Sequence, residues 1–96
     1  MRSKRVYRSK MKIMADIMHA IGDCGEEGAM PTKILYAANL SHDRLTQYLD
    51  ELVQKGLVLM LSSENGRVYR LSERGSEFLR AFDGIARFAE AFGISI

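Results

Sequence analysis

The chain has 96 residues, 47% of them apolar, which is enough for one domain with a core and too little for two ordinary domains. No run of about 18 apolar residues occurs, so we expect no transmembrane helix, and no apolar segment follows the basic N-terminus as in a secretory signal. The single cysteine, Cys24, cannot close an intrachain disulfide, which favours a reducing compartment such as the cytoplasm.

Positive charge is concentrated at the N-terminus. Although the formal net charge is only +2, residues 1–12 contain six Lys and Arg and no acid, so the other 84 residues carry a net charge of −4. We predict that residues 1–8 form a basic arm that contacts nucleic-acid phosphates through Arg2, Lys4, Arg5 and Arg8. The alternative is a solubilising tail without a binding role.

The first helix is predicted to begin after Ser9, which suits an N-cap, and to stop near Gly22. Its apolar residues recur at helical spacing, in the order Tyr7, Met11, Met14, Met18 and Ile21. A methionine stripe of this kind can line an adaptable groove, but we interpret it as part of the core.

A helix-turn-helix is predicted next. Pro31 suits the first turn of a short second helix, Asn39 suits a turn, and Ser41 suits the N-cap of a third helix. The third helix should end at Lys55 and Gly56. Its apolar side is formed by Leu45, Tyr48, Leu49, Leu52 and Val53, and its polar side by Asp43, Arg44, Gln47, Asp50, Glu51 and Gln54.

A β-hairpin is predicted after the third helix. Leu57–Leu61 and Val68–Leu71 are typical of strands, and Asn65-Gly66 between them favours a type I′ turn with positive φ at both residues. A hairpin that follows a helix-turn-helix forms a winged helix. We therefore predict a winged-helix domain over residues 9–75, with its wing tip at Ser63–Arg67.

The last helix, capped by Ser72, is predicted to serve dimerisation over residues 76–96. Its apolar residues repeat in a heptad-like pattern, Phe78, Phe82, Ile85, Ala89 and Phe92. A helix of about 20 residues spans about 30 Å, which exceeds what a small winged helix can cover. The residues expected to face a second subunit are Phe82, Ile85, Phe88, Ala89 and Phe92. The alternative is a helix that folds back entirely onto its own domain.

The central part of the chain resembles a family of small archaeal winged-helix DNA-binding proteins that dimerise through a C-terminal antiparallel coiled coil. The likeness covers residues 9–90 and is carried by PTKILYAANLS at 31–41, by Tyr48 and Leu52, by GLV at 56–58 and by YRLSERG at 69–75. It implies a symmetric dimer that turns two recognition helices toward DNA, in a chromatin-associated or regulatory role. The chain departs from the family in a longer Gly22–Gly28 loop and a shorter C-terminal helix, so coiled-coil length and half-site spacing do not follow.

Candidate base-reading residues lie near the start of the third helix, namely His42, Asp43, Arg44 and Gln47, because Arg can fork onto guanine and Gln onto adenine. The residues expected on phosphates outside the arm are Lys33, Ser41, Arg67 and Arg70. Alternatively, Arg44 pairs with Asp43 or Glu51 on its own helix. Arg70 could instead pair with an acid across the sheet, and His42 could cap the helix or face solvent.

Catalytic and metal sites find no support in the sequence. No Cys, Asp or Ser is spaced to form a triad with His19. The set of Cys24, His19 and His42 does not match a zinc site, and the Gly22–Gly28 loop lacks the residues of a phosphate-binding loop. We therefore expect no enzymatic activity, no cofactor and no metal.

The sequence thus predicts an α+β, mainly helical fold, a winged helix-turn-helix with a C-terminal dimerisation helix. The expected partners are double-stranded DNA and a second copy of the chain, in a cytoplasmic, nucleoid-associated protein that regulates transcription or organises chromatin. The alternative is a protein-interaction module without DNA binding, because the exposed face of the third helix is acidic at Asp43, Asp50 and Glu51.

Overall fold

The computed structural model describes residues 8–96. In this part of the chain, four α-helices and one hairpin follow the order α1 (Lys10–Asp23), a single 3-10 turn (Gly25–Glu27), α2 (Pro31–Ala38), α3 (His42–Gln54), β1 (Val58–Ser63), β2 (Gly66–Leu71) and α4 (Glu73–Ala91). A helix-turn-helix is thus followed by an antiparallel two-stranded wing and a long last helix. The predicted winged-helix fold is confirmed.

The helices begin where local chemistry predicts. Ser9, Ser41 and Ser72 have extended backbones, and each side chain accepts a hydrogen bond from the backbone N–H three residues later. Such caps satisfy N–H groups that have no partner inside the helix. Pro31 opens α2, where its missing N–H is not needed.

A left-handed residue joins α2 to α3. Asn39 has φ 57° and ψ 58°, and its N–H donates to carbonyl oxygens of the last turn of α2. Among residues 8–96 it is the only non-glycine residue with positive φ. Leu40 follows immediately and is buried in the core. This turn and the buried Leu40 together fix where Ser41 caps α3.

The wing forms as predicted, but its turn differs. The strands pair from Val58 with Leu71 to Ser63 with Gly66, so the two turn residues are Glu64 and Asn65. Positive φ is found at Gly66, at 115°, and not at Asn65, so the predicted type I′ turn centred on Asn65-Gly66 is wrong. The Ser63 hydroxyl accepts from the Asn65 N–H at 3.3 Å and donates to the Gly66 carbonyl at 2.8 Å, which favours this earlier closure.

The sheet gains a third, single-residue partner from the loop before α2. Ala29 and Tyr69 exchange two backbone hydrogen bonds of 2.8 Å as an isolated antiparallel bridge. β2 is therefore paired on both sides at this point, and Tyr69 is buried.

The core is built around α1. Ile17, Met18 and Ile21 are almost fully buried, and they share one core cluster with buried residues of α2, α3, β1 and β2. From α4, the partly buried Phe78 and Leu79 pack against this cluster. Burial of each such side chain contributes about 1.5–3 kcal/mol. Met14 and Met18 lie in this core, as predicted, whereas Met11 is half exposed and Tyr7 lies outside the described residues.

The first turn of α4 is fastened to the start of β1. The Ser72 N–H donates to the Leu57 carbonyl at 3.1 Å, and the Ser72 hydroxyl donates to the Gly56 carbonyl at 2.6 Å. Gly75 is buried in this contact, and a Cβ atom at that position would overlap the Leu57 carbonyl oxygen. Glycine is therefore required by close approach of the two backbones.

Candidate nucleic-acid interface

The four predicted base-reading residues share one exposed end of α3. They are His42, Asp43, Arg44 and Gln47, all solvent-exposed on the first two turns. Leu45, Leu49 and Leu52 bury the opposite side of the helix in the core. Ser41, predicted on a phosphate, is exposed, and its hydroxyl caps the helix by accepting from the Arg44 N–H at 3.3 Å. The arrangement presents hydrogen-bonding side chains on a rigidly mounted helix end.

The guanidinium of Arg44 is held by Tyr48, and its charge stays available to a ligand. Its guanidinium lies over the Tyr48 ring, 5.8 Å from the centroid, and one nitrogen is 3.5 Å from the Tyr48 hydroxyl, at the limit of a hydrogen bond. Within residues 8–96 it has no acidic partner, so the alternative pairing with Asp43 or Glu51 is not found. A cation held by an aromatic ring is restricted in position without being neutralised.

Glu51 is occupied by two lysines instead. Its Oε2 lies 2.9 Å from Lys10 Nζ and 3.6 Å from Lys55 Nζ. The hydrogen bond from Lys10 is the main cause that holds the pKa of Glu51 below its ordinary value, and it outweighs the opposing effect of burial. The face of α3 is therefore less acidic than its sequence suggests.

Three of the six Lys and Arg side chains in residues 1–12 form ion pairs with acidic side chains of the domain. Lys10 pairs with Glu51, and Lys12 and Arg8 share the two carboxylate oxygens of Asp16. Arg8 also donates to backbone carbonyls at the end of α2. The placement of Arg8 in a DNA-contacting arm is thus corrected, because its guanidinium is bound within the fold. Arg2, Lys4 and Arg5 lie outside the described residues.

The other cations predicted to contact phosphates, Lys33, Arg67 and Arg70, differ in their exposure and in their contacts. Lys33 on α2 and Arg67 on β2 are exposed, and neither forms an ion pair within the described part of the chain. Arg70 is half-buried, and its Nη1 lies 3.4 Å from the backbone carbonyl of Glu26. The alternative pairing of Arg70 with an acidic side chain across the sheet is not found there.

Two exposed side chains, one on α2 and one on α3, were not predicted to belong to the interface. Tyr36 is 77% exposed on α2, three residues after Lys33 and therefore on the same side of that helix. Thr46 is exposed on α3, and its hydroxyl donates to the His42 carbonyl at 3.0 Å. Because Tyr36 follows Lys33 by three residues, helical periodicity in the sequence could have placed Tyr36 on the side of α2 that carries this predicted phosphate contact.

The distal half of α4 presents an apolar face to solvent. Ile85 is 63% exposed, and Phe88 and Phe92 are each 68% exposed, with their ring centroids 5.2 Å apart. Ala89 is half-buried. This half of the helix does not fold back onto its own domain, so the alternative prediction is wrong for these residues.

Phe82 is a correction to the predicted dimerisation set. It is only 8% exposed, and it lines, with Met11 and Phe78, an apolar recess of about 150 Å³ between α1 and α4. Its own chain therefore covers most of its surface. We call the remaining outward face of α4, Ile85, Phe88, Ala89 and Phe92, the distal α4 face.

The described residues form neither a metal site nor a membrane-spanning helix. His19 Nε2 lies 2.9 Å from Asp83 Oδ1, linking α1 to α4. Across residues 8–96, no three His, Cys, Asp or Glu side chains come together as a metal site would require. No helix in that range is both long and apolar enough to cross a bilayer.

Comparison with solved structures supports the fold. Sso10a-2, a DNA-binding protein from Sulfolobus solfataricus, superposes with a TM-score of 0.75 at 23% identity, over 88% of this chain and 85% of that one. MepR, a transcription regulator of the Staphylococcus aureus multidrug efflux pump MepA, gives a TM-score of 0.75 at 16% identity. The match covers 83% of this chain and only 60% of MepR.

Comparison of sequences defines the family. An uncharacterized protein of Methanocaldococcus jannaschii is 32% identical over 76 residues, which cover 79% of this chain and 71% of that protein. Residues 7–90 match the family model described as winged helix-turn-helix. The helix-turn-helix formed by α2 and α3, with the hairpin that follows it, is the arrangement that this description names. The chain belongs to the winged helix-turn-helix family.

Proposed function

We propose that this protein binds double-stranded DNA as a homodimer, as a transcriptional regulator or a chromatin-associated protein of the nucleoid. The observation that carries the proposal is the exposed end of α3, where Arg44 is held over Tyr48 without an acidic partner among residues 8–96. The similar fold of Sso10a-2, a DNA-binding protein, and of a MepR variant bound to an oligodeoxyribonucleotide supports it.

In the proposed complex, α3 enters the major groove. Arg44 forks onto guanine O6 and N7, Gln47 pairs with adenine, and Asp43 accepts from cytosine N4, with His42 beside them. Phosphates are contacted by cations outside α3, namely Lys33, Arg67, Arg70, Arg2, Lys4 and Arg5, and by the exposed Ser41. Because the remaining body is acidic, we expect the N-terminal cations to supply a large share of the affinity.

The homodimer is supported by the distal α4 face. Two phenylalanines with tilted rings in contact and an isoleucine, all exposed to solvent, form the kind of apolar patch that soluble proteins cover by association. A symmetric pair of such faces is self-complementary, so residues of one protomer meet the same set on its partner. Two linked recognition helices then raise the affinity through effective concentration.

The competing interpretation, a protein-interaction module, is weakened by the contacts of Glu51. Of the three acids that made the α3 face suitable for a basic protein partner, Glu51 is paired with Lys10 and Lys55. Asp43 and Asp50 remain exposed. A face with two carboxylates and the unpaired cation of Arg44 fits mixed hydrogen bonding to base edges better than an acidic docking site.

The proposal is tested by measuring binding to random-sequence duplex DNA at two salt concentrations. The wild type is compared with Arg2→Ala/Lys4→Ala/Arg5→Ala, and a matched control, Arg74→Ala/Arg80→Ala/Arg87→Ala, removes the same charge from exposed positions of α4. Loss of three phosphate contacts should flatten the slope of log affinity against log salt by about 2.7 per protomer, at about 0.9 per contact.

Each result decides one part of the proposal. A wild type that forms no complex at low salt overturns DNA binding and favours the protein-interaction interpretation. A slope that is the same for the N-terminal triple variant and the wild type removes these cations from the interface. A slope that falls equally in the α4 control shows that only net charge matters, which contradicts a defined N-terminal contact.

A further inference from the structure

Arg8 connects parts of the fold that are far apart in the sequence. Its Nη1 donates to Asp16 Oδ2 at 2.9 Å and to the Ala38 carbonyl at 2.7 Å, and its Nη2 donates to the Asn39 carbonyl at 2.9 Å. Only 24% of the side chain is exposed. A guanidinium holds its donors in a rigid planar fork, so three acceptors at these distances fix its orientation.

The two backbone acceptors lie at the C-terminal end of α2. The last carbonyls of a helix have no donor within it, and a cation there is favoured by the helix dipole. α2 has no basic residue in its last turn, so Arg8 supplies that cation from the N-terminal segment. Asn39 is the left-handed residue of the turn, and Ser41, two residues later, caps α3. Arg8 therefore binds the joint at which α3 begins.

Asp16 ties this contact to α1. Its second oxygen, Oδ1, accepts from Lys12 Nζ at 2.6 Å. Burial raises the pKa of Asp16, but the hydrogen bonds and charges of Lys12 and Arg8 outweigh burial and hold the pKa below its ordinary value. The carboxylate is therefore ionised at neutral pH and attracts Arg8 across the turn.

We propose that Arg8, the last residue of the basic arm, is a positioning residue that fastens the arm beside the turn between α2 and α3. Its clamp, formed by Asp16 and the Ala38 and Asn39 carbonyls, holds the Arg8 side chain at the turn that precedes α3. Arg5, Lys4 and Arg2 precede Arg8 by three, four and six residues in the sequence, so they are tethered to this point of the fold. The N-terminal cations then act on the same stretch of DNA as α3. This inference rests on the proposed function.

A double-mutant cycle separates positioning from simple charge. Arg8→Lys keeps the charge but cannot fork onto three acceptors, and Asp16→Asn removes the ion pair of Arg8 while making the protein more positive. Each is combined with Arg2→Ala/Lys4→Ala/Arg5→Ala, and Kd for one duplex is measured at low salt. We expect the triple substitution to weaken binding about tenfold or more in the wild type and about threefold or less in either clamp variant.

The outcomes distinguish failure of the inference from failure of the proposed function. If the triple substitution has no effect in the wild type, the N-terminal contact itself is wrong. If it has the same effect in the wild type and in both clamp variants, the contact stands and positioning by Arg8 is overturned. Tighter binding by Asp16→Asn, with an unchanged triple effect, would make Arg8 a phosphate ligand instead. Circular dichroism at the assay temperature confirms that each variant is folded. If one clamp variant does not fold, the other one is sufficient for a double-mutant cycle with the triple substitution.

Discussion

α3 and α4 are built alike and differ in what they show to solvent. Each begins at a serine cap, Ser41 or Ser72, and each buries one apolar side against the domain. The outward face of α3 is polar, with Arg44 restrained over Tyr48. The distal α4 face, which lies beyond Phe82, is apolar.

This difference shows how strongly each helix requires a partner. Water satisfies the exposed side chains of α3, so that face is stable with or without DNA. Water does not satisfy the distal α4 face, because each Å² of apolar surface removed from water contributes about 25 cal/mol. We therefore expect α4 to be covered permanently and α3 to be covered only when a ligand is present.

The largest effect is expected from charge on the distal α4 face. Phe88→Glu with Phe92→Glu places carboxylates in the proposed interface, and their desolvation opposes association. Light scattering should then report a mass near one 10.8 kDa chain in place of two. Affinity for DNA should fall about 100-fold as bivalent binding is lost.

The control for this variant is Arg87→Glu, which adds a carboxylate about 100° around α4 from Phe88. It should leave the mass at two chains. A monomeric wild type, or a double variant that remains dimeric, would show that the distal α4 face is not the interface.

A smaller effect should follow from breaking the inward attachment of α4. Gly75→Ala sets a Cβ against the Leu57 carbonyl, and such overpacking costs about 1–3 kcal/mol. We expect a net loss near 2 kcal/mol, or roughly 8–12 °C in Tm by calorimetry. Gly84→Ala has open space around its new Cβ and should raise stability by about 0.5–1 kcal/mol. Equal Tm changes would contradict the close approach.

The polar face of α3 is tested by Arg44→Ala. Loss of one forked contact to a base should weaken binding to a selected DNA site by about 1–3 kcal/mol, and should weaken binding to random duplex less. Gln54→Ala, at the exposed far end of the same helix, serves as the control in both titrations. If Arg44→Ala lowers affinity for selected and random DNA by the same factor, Arg44 contacts phosphates and not bases.

The smallest effect concerns acid. Because the pKa of Asp16 is lowered in the folded state, its ion pairs stabilise the protein above the ordinary value of 3.8 and are lost as pH falls through the folded-state pKa. Urea unfolding should show wild type more stable than Asp16→Asn by about 1 kcal/mol or less at neutral pH. The difference should shrink well below pH 3.8. Asp50→Asn, an exposed carboxylate without an ion pair among residues 8–96, should show no such trend.

The sequence carried enough information for contacts that are local in the chain. A serine cap needs only the N–H three residues later, which is why Ser9, Ser41 and Ser72 could be assigned from residue type and pattern. The exposed side of α3 followed from helical periodicity in the same way. Fold and candidate surface were therefore predictable to the level of the helix face.

Contacts that depend on distant residues could not be predicted. Nothing near Arg8 in the sequence indicates acceptors that are 30 and 31 residues away. Periodicity placed Phe82 on the outward stripe of α4, but only the folded structure shows that Phe82 is buried, beside the recess that it lines with Met11 and Phe78. At the wing, a serine hydroxyl that bonds to the local backbone shifted the turn by one residue.

The bridge between Ala29 and Tyr69 has a mechanical consequence for the wing. A hairpin held only by the hydrogen bonds between its two strands could pivot at its base. Here β2 is also joined, through Tyr69, to Ala29 in the loop that leads into α2. A push on Arg67 at the outer end is therefore transmitted toward α2. The amides of Ala29 and Tyr69 should exchange with deuterium together, and they should exchange more slowly than any amide nearer the tip.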